Sequence, residues 1–138
     1  MWRDPWLAAA IAVAPPAWWL LAPHVGVARL ASTPVLLAAV TLYPVLEELC
    51  FRGLLQGWLL QHLGHRRVLR PVGAANLLTS LAFATAHLPS QPPAWAAATL
   101  LPSLVLGCAR ERYGRVLPAI LLHAYYNAGL MLWALSLR

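Results

Sequence analysis

Residues 34–63 read PVLLAAVTLYPVLEELCFRGLLQGWLLQHL, an apolar run broken at its centre by Glu47, Glu48 and Arg52. The run predicts one helix of about 45 Å at about 1.5 Å per residue, against a bilayer hydrocarbon core of about 30 Å. Such a helix must tilt, kink at Pro44, or carry its 56–62 end into the headgroups. Charge set this deep in an apolar run is costly and is usually functional. Glu48 and Arg52 are four residues apart, on one helix face, so they can pair. Glu47 is turned away from Glu48 by about 100° and looks toward a different neighbour. One carboxylate therefore reads as a structural partner and the other as a reagent. The plainer alternative is a buried ion pair that only helps helices pack.

The rest of the composition agrees with a membrane setting. Of 138 residues, 61% are apolar and 10% charged, where a soluble domain carries about a quarter charged residues. A chain of this length is expected to form a single domain over 1–138. The net charge of +6 comes from ten arginines and no lysine. Most lie in short connections, where they orient apolar spans rather than bind nucleic acid. Cys50 and Cys108 have no metal-site or redox spacing and read as small core residues. The first apolar run, 6–22, has Pro15-Pro16 and Trp18-Trp19 where a signal peptide has its small-residue cleavage site. It is therefore expected to stay in the mature protein.

Outward from the central run, further helices are expected at about 6–22, 72–88, 94–109 and 116–135. The fold class is thus all-α, a polytopic bundle of about five transmembrane helices. Pro15-Pro16 should kink the first, and Thr33 with Pro34 suits the start of the second. The connections 64–71 and 110–115 then share a side with the N-terminus. That side holds Arg3, Arg66, Arg67, Arg70, Arg110, Arg112 and Arg115, and the positive-inside rule puts it in the cytoplasm. The other side holds Arg29 and Arg138.

Four polar stations lie within these spans: the Glu47, Glu48 and Arg52 group, His87, His123, and Asn127. His123 and Asn127 share a helix face at i,i+4. Amide hydrolysis needs an activated water and donors for the developing oxyanion. A carboxylate can take the water's proton, and imidazole and amide N–H groups can donate to the oxyanion. Each histidine taken singly reads as a polar residue packed between helices, and His62 and His65 as solvated interfacial side chains.

Three motifs occur in order on successive helices: Glu47-Glu48-x-x-x-Arg52, Phe83-x-x-x-His87 and His123-x-x-x-Asn127. This set resembles the CAAX-processing and bacteriocin-processing intramembrane glutamic endopeptidases, the Abi family, over about residues 34–132. The resemblance implies Glu47 as catalytic base assisted by His87, His123 and Asn127 as the oxyanion site, and Glu48 with Arg52 holding the base helix. It implies a membrane-anchored peptide or protein substrate in the bilayer, and residence in the cytoplasmic membrane of a prokaryote. A zinc-dependent version through two histidines and a carboxylate is the chemical alternative. No His-Glu-x-x-His spacing is present and Asn is a poor zinc ligand, so no cofactor is expected. The functional alternatives are a non-catalytic immunity or chaperone-like membrane protein, and a small transporter using the acids and histidines as a proton relay.

Overall fold

A computed structural model describes residues 3–24, 33–69 and 71–137. Arg29, Arg70 and Arg138, on which part of the sidedness count rests, lie outside the described residues. The helices are α1 (Pro5–Ala12), α2 (Ala14–Leu21), α3 (Thr33–Leu63), α4 (Ala74–His87), α5 (Pro93–Ala98), α6 (Leu100–Tyr113) and α7 (Leu117–Ser136). A short antiparallel hairpin precedes α4, with Arg67 opposite Gly73 and Leu69 opposite Val72. Among the described residues the fold is all-α apart from this hairpin.

Two segments, Pro5–His24 and Thr33–Leu63, are long and apolar enough to cross a membrane by themselves. α4 and α6 have 14 residues each, about 21 Å of helix. The run expected as one helix at 94–109 is divided at Thr99, and its second part continues through the arginines to Tyr113. Gly114 ends α6 in the left-handed conformation, φ 67°, with its N–H on the Arg110 carbonyl at 3.1 Å. Only glycine takes that conformation without steric cost.

The chain divides into two compact units, Met1–Leu46 with Leu121–Arg138, and Glu47–Ile120. In the first, the double proline acts as expected. The helix breaks at Val13, so Pro15 and Pro16 fall in the first turn of α2, where missing N–H groups cost least. The Ile11 carbonyl would ordinarily accept from residue 15, which as proline has no N–H. The Tyr125 hydroxyl reaches it at 3.4 Å, and the Tyr126 hydroxyl donates to the Ala10 carbonyl at 2.8 Å. Trp18 donates from Nε1 to the Tyr126 carbonyl at 3.1 Å. Its ring lies against Gly129, where any Cβ would collide with it.

α3 is not a uniform α-helix. It widens into π turns over Ala38–Leu42 and Leu49–Leu55. Such insertions are rare and tend to accompany functional sites. The first has a cause in the sequence. In it the Tyr43 N–H bonds the Ala38 carbonyl, so the Ala39 carbonyl would next accept from residue 44. That residue is Pro44, which has no N–H.

The unit Glu47–Ile120 is organised by a buried polar face. Glu48, Arg52 and Gln56 of α3 are fully buried, as are Asn76, Thr79 and Ser80 of α4 and Ser103 of α6. Close approach of α4 and α6 depends on Gly107, where a Cβ would overlap the Asn76 side chain. Asn76 donates from Nδ2 to the Leu104 carbonyl at 3.0 Å and to Cys108 Sγ at 3.3 Å. Ser80 Oγ donates to Asn76 Oδ1 at 3.0 Å. Small residues and interhelical hydrogen bonds are the usual means of helix association where no water is displaced.

Candidate active site

Glu47, Glu48, Arg52 and His87 belong to the unit Glu47–Ile120, and His123 and Asn127 to the other.

Arg52 is the hub of the first set. Its Nε stands 3.1 Å from Glu48 Oε2, and both side chains are fully buried. The contact is an ion pair without aligned hydrogen-bond geometry. Nη2 donates to the Ser103 hydroxyl at 2.6 Å and to the Ser103 carbonyl at 2.9 Å. The guanidinium also lies 4.7 Å from the centroid of the Phe83 ring, a cation–π arrangement. Removing a guanidinium from water is tolerated only when its charge and its N–H groups find partners. Three helices contribute: Glu48 the counter-charge, Ser103 both acceptors of Nη2, and Phe83 a ring face, while Nε and Nη1 have no aligned acceptor among the described residues.

The i,i+4 pairing of Glu48 with Arg52 holds in the structure. Glu47 is also close enough for its charge to act on Arg52, more weakly than that of Glu48. The wide turn that begins at Leu49 changes the angular spacing on which the sequence argument relied. Glu47 is half-buried, whereas Glu48 is wholly enclosed.

Phe83 connects this hub to His87. The Phe83 ring meets Phe51 edge-on at 5.0 Å and the His87 imidazole at 4.5 Å. His87 Nδ1 lies 2.8 Å from the Phe83 carbonyl. A carbonyl oxygen only accepts, so Nδ1 carries a proton. The neutral ring then keeps an unprotonated Nε2, able to accept a proton. The four-residue spacing of Phe83 and His87 thus sets both ring stacking and tautomer.

In the other unit, His123 is buried one helical turn from Asn127 on α7. Asn127 donates from Nδ2 to the Ala39 carbonyl at 3.0 Å, the group left without a backbone donor by Pro44. One N–H of the Asn127 amide is thereby committed to holding the wide turn. The second is not needed for that contact. Among the described residues no three His, Cys, Asp or Glu side chains gather into a set that could hold a metal ion.

Sequence reasoning missed Ser103 and Gln56. Gln56 donates from Nε2 to the Gly107 carbonyl and to Glu111 Oε1, both at 3.1 Å. A signal was present: Glu48, Arg52 and Gln56 form an i,i+4 polar stripe, and Ser103, Gly107 and Glu111 form an i,i+4 row of small and polar residues. A lone serine in an apolar run does not show which helix it faces.

The family description "type II CAAX prenyl endopeptidase Rce1-like" matches residues 29–129. The chain belongs to the Rce1-like family. The match covers the polar stripe of α3, Phe83-x-x-x-His87 and His123-x-x-x-Asn127 together. No curated protein and no solved structure matches the chain. The Rce1-like family is a family of membrane-bound proteases, and membership with two apolar spanning segments makes this chain an integral membrane protein.

Proposed function

We propose that this Rce1-like protein is an intramembrane endopeptidase of glutamate mechanism, embedded through about five helices in the cytoplasmic membrane of a prokaryote. The substrate is a membrane-anchored peptide or protein. The observation that carries the reading is the fully buried Arg52, held by Glu48, Ser103 and Phe83 beside a less buried Glu47. A structural ion pair needs one carboxylate, and in this reading the second, less buried one is the reagent.

In this reading Glu47 takes a proton from water as the water attacks the scissile carbonyl carbon. His87 Nε2 accepts a hydrogen bond from that water or relays the proton to the leaving amine. His123 and the uncommitted N–H of Asn127 donate to the oxyanion. Glu48 and Arg52 are positioning residues, and no metal is required.

Co-expression with candidate membrane-anchored substrates, followed by mass spectrometry of the products, tests the reading. Wild type should yield cleaved product and Glu47→Gln none. Cleavage by Glu47→Gln at the wild-type rate overturns it.

A further inference from the structure

The protease chemistry leaves unused an open groove of about 570 Å³ in the unit Glu47–Ile120. Its floor is the side-chain-free strip Gly53 and Gly57 on α3, and Arg110 of α6 forms one wall. Arg110 donates from Nε to the Arg52 carbonyl at 3.2 Å. That bond fixes the guanidinium and leaves Nη1 and Nη2 without a hydrogen-bond acceptor among the described residues. Nη2 lies 3.9 Å from where a Gly57 Cβ would stand. A larger residue there would fill the space beside these two donors. His65 borders the same groove.

The groove lining itself holds one cation, Arg110, and one acid, Glu111, and the excess of positive charge lies in the chain around it. The two connections that border it carry Arg66, Arg67, Arg110, Arg112 and Arg115 against one acid, Glu111. Glu111 lines the groove too, but its carboxylate accepts from Gln56 and packs against Gly73.

Depth identifies the occupant. α3 has 31 residues, about 46 Å against a hydrocarbon core of about 30 Å, and we place the excess, roughly ten residues, at the end that leads into Arg66 and Arg67. The groove lies along that last third of α3, beginning at Gly53. Trp58, 55% exposed, has the amphipathic ring typical of the membrane interface. Leu54, 73% exposed and one turn nearer the core, offers a surface for an acyl chain. Free cationic donors at headgroup depth above an exposed apolar surface match a phospholipid of negative charge.

We propose that this groove binds the headgroup of an anionic phospholipid. Its phosphate is held by Arg110 Nη1 and Nη2 with His65, and its chains run along Trp58 and Leu54. The proposal rests on α3 crossing the bilayer and not on the protease reading. Because Arg110 also holds the Arg52 carbonyl, occupancy stabilises the wide turn that carries Arg52.

The test is native mass spectrometry of the full chain extracted from vesicles of equimolar phosphatidylglycerol and phosphatidylcholine. Wild type should retain phosphatidylglycerol preferentially. Gln61→Glu adds one negative charge at an exposed position lining the groove, and should cut that retention about fivefold. Arg115→Gln changes the net charge equally at an exposed position outside the groove lining, and should change retention less than about twofold. Gly57→Val should abolish the preference with every charge in place. If it fails to fold, the Gln61→Glu and Arg115→Gln comparison decides alone. Equal retention of the two lipids, or equal effects of Gln61→Glu and Arg115→Gln, overturns the proposal. So does displacement of phosphatidylglycerol by a short peptide with a free C-terminal carboxylate at equal concentration, which makes the groove a peptide subsite.

Discussion

The Ser103 hydroxyl accepts a hydrogen bond from Arg52 Nη2 at 2.6 Å, linking α6 to the acid-bearing helix α3 through fully buried atoms. Ser103 belongs to none of the three motifs, yet it is a principal partner of the one buried cation described. The catalytic reading therefore depends on a residue that acts only by positioning.

Ser103→Ala removes the hydroxyl and leaves the Ser103 carbonyl to accept alone. A lost hydrogen bond to a charged group costs about 1.5 to 3 kcal/mol. The melting temperature in detergent should fall, and protease activity should drop without vanishing. An unchanged melting temperature would show that Glu48, Phe83 and the residue-103 carbonyl suffice to hold Arg52.

The two adjacent glutamates should separate by stability. Glu48→Gln or Arg52→Ala leaves an uncompensated buried charge and costs about 3 to 5 kcal/mol. Glu47→Gln, at a half-buried site with the weaker influence on Arg52, should cost clearly less while abolishing cleavage. Thermal unfolding beside a cleavage assay checks the order. Equal destabilisation by Glu47→Gln and Glu48→Gln would remove the distinction between reagent and partner.

Asn127 is expected to be coupled to Pro44. Asn127→Ala leaves the Ala39 carbonyl without its side-chain donor, at about 1 to 3 kcal/mol. In a Pro44→Ala background residue 44 gains an N–H able to serve that carbonyl, so the same substitution should cost much less. A double-mutant cycle on unfolding free energies measures the coupling. Activity should be lost in both backgrounds if Asn127 also donates to the oxyanion. Recovery of activity in the double variant would confine Asn127 to a structural role.

Exhaustive chelation should leave cleavage intact, and purified protein should hold less than one equivalent of zinc. Loss of activity on chelation, restored by zinc alone, would select the His and Glu metal mechanism.

The arginine distribution predicts sidedness. In a Cys50→Ala, Cys108→Ala background, cysteine at Ser90 should react with a membrane-impermeant thiol reagent in intact cells, and cysteine at Arg67 should not. Both positions are exposed on the protein. Labelling at 67 and not at 90 would reverse the orientation.

The sequence by itself determined the helical class, the long central helix and the pairing of Glu48 with Arg52. Each follows from local rules: apolar run length, i,i+4 spacing, and the cost of charge away from water. Pro15, Pro16 and Pro44 likewise marked where the backbone had to depart from an ideal helix. Only the tertiary structure decided how those departures are satisfied, because a freed carbonyl takes whatever donor lies nearest in space. Tyr125 and Asn127 serve Ile11 and Ala39 in that sense across more than eighty residues of sequence.

 Ala39 is the nearer case: its carbonyl lost its backbone donor to Pro44, a local event, and found Asn127 through packing, a global one. Ser103, Gln56 and Gly107 were equally beyond sequence reasoning. Their roles come from which face of α6 meets α3 and α4, and helix contacts in an apolar setting are chosen by shape and by hydrogen-bond satisfaction, which residue spacing along one helix does not encode.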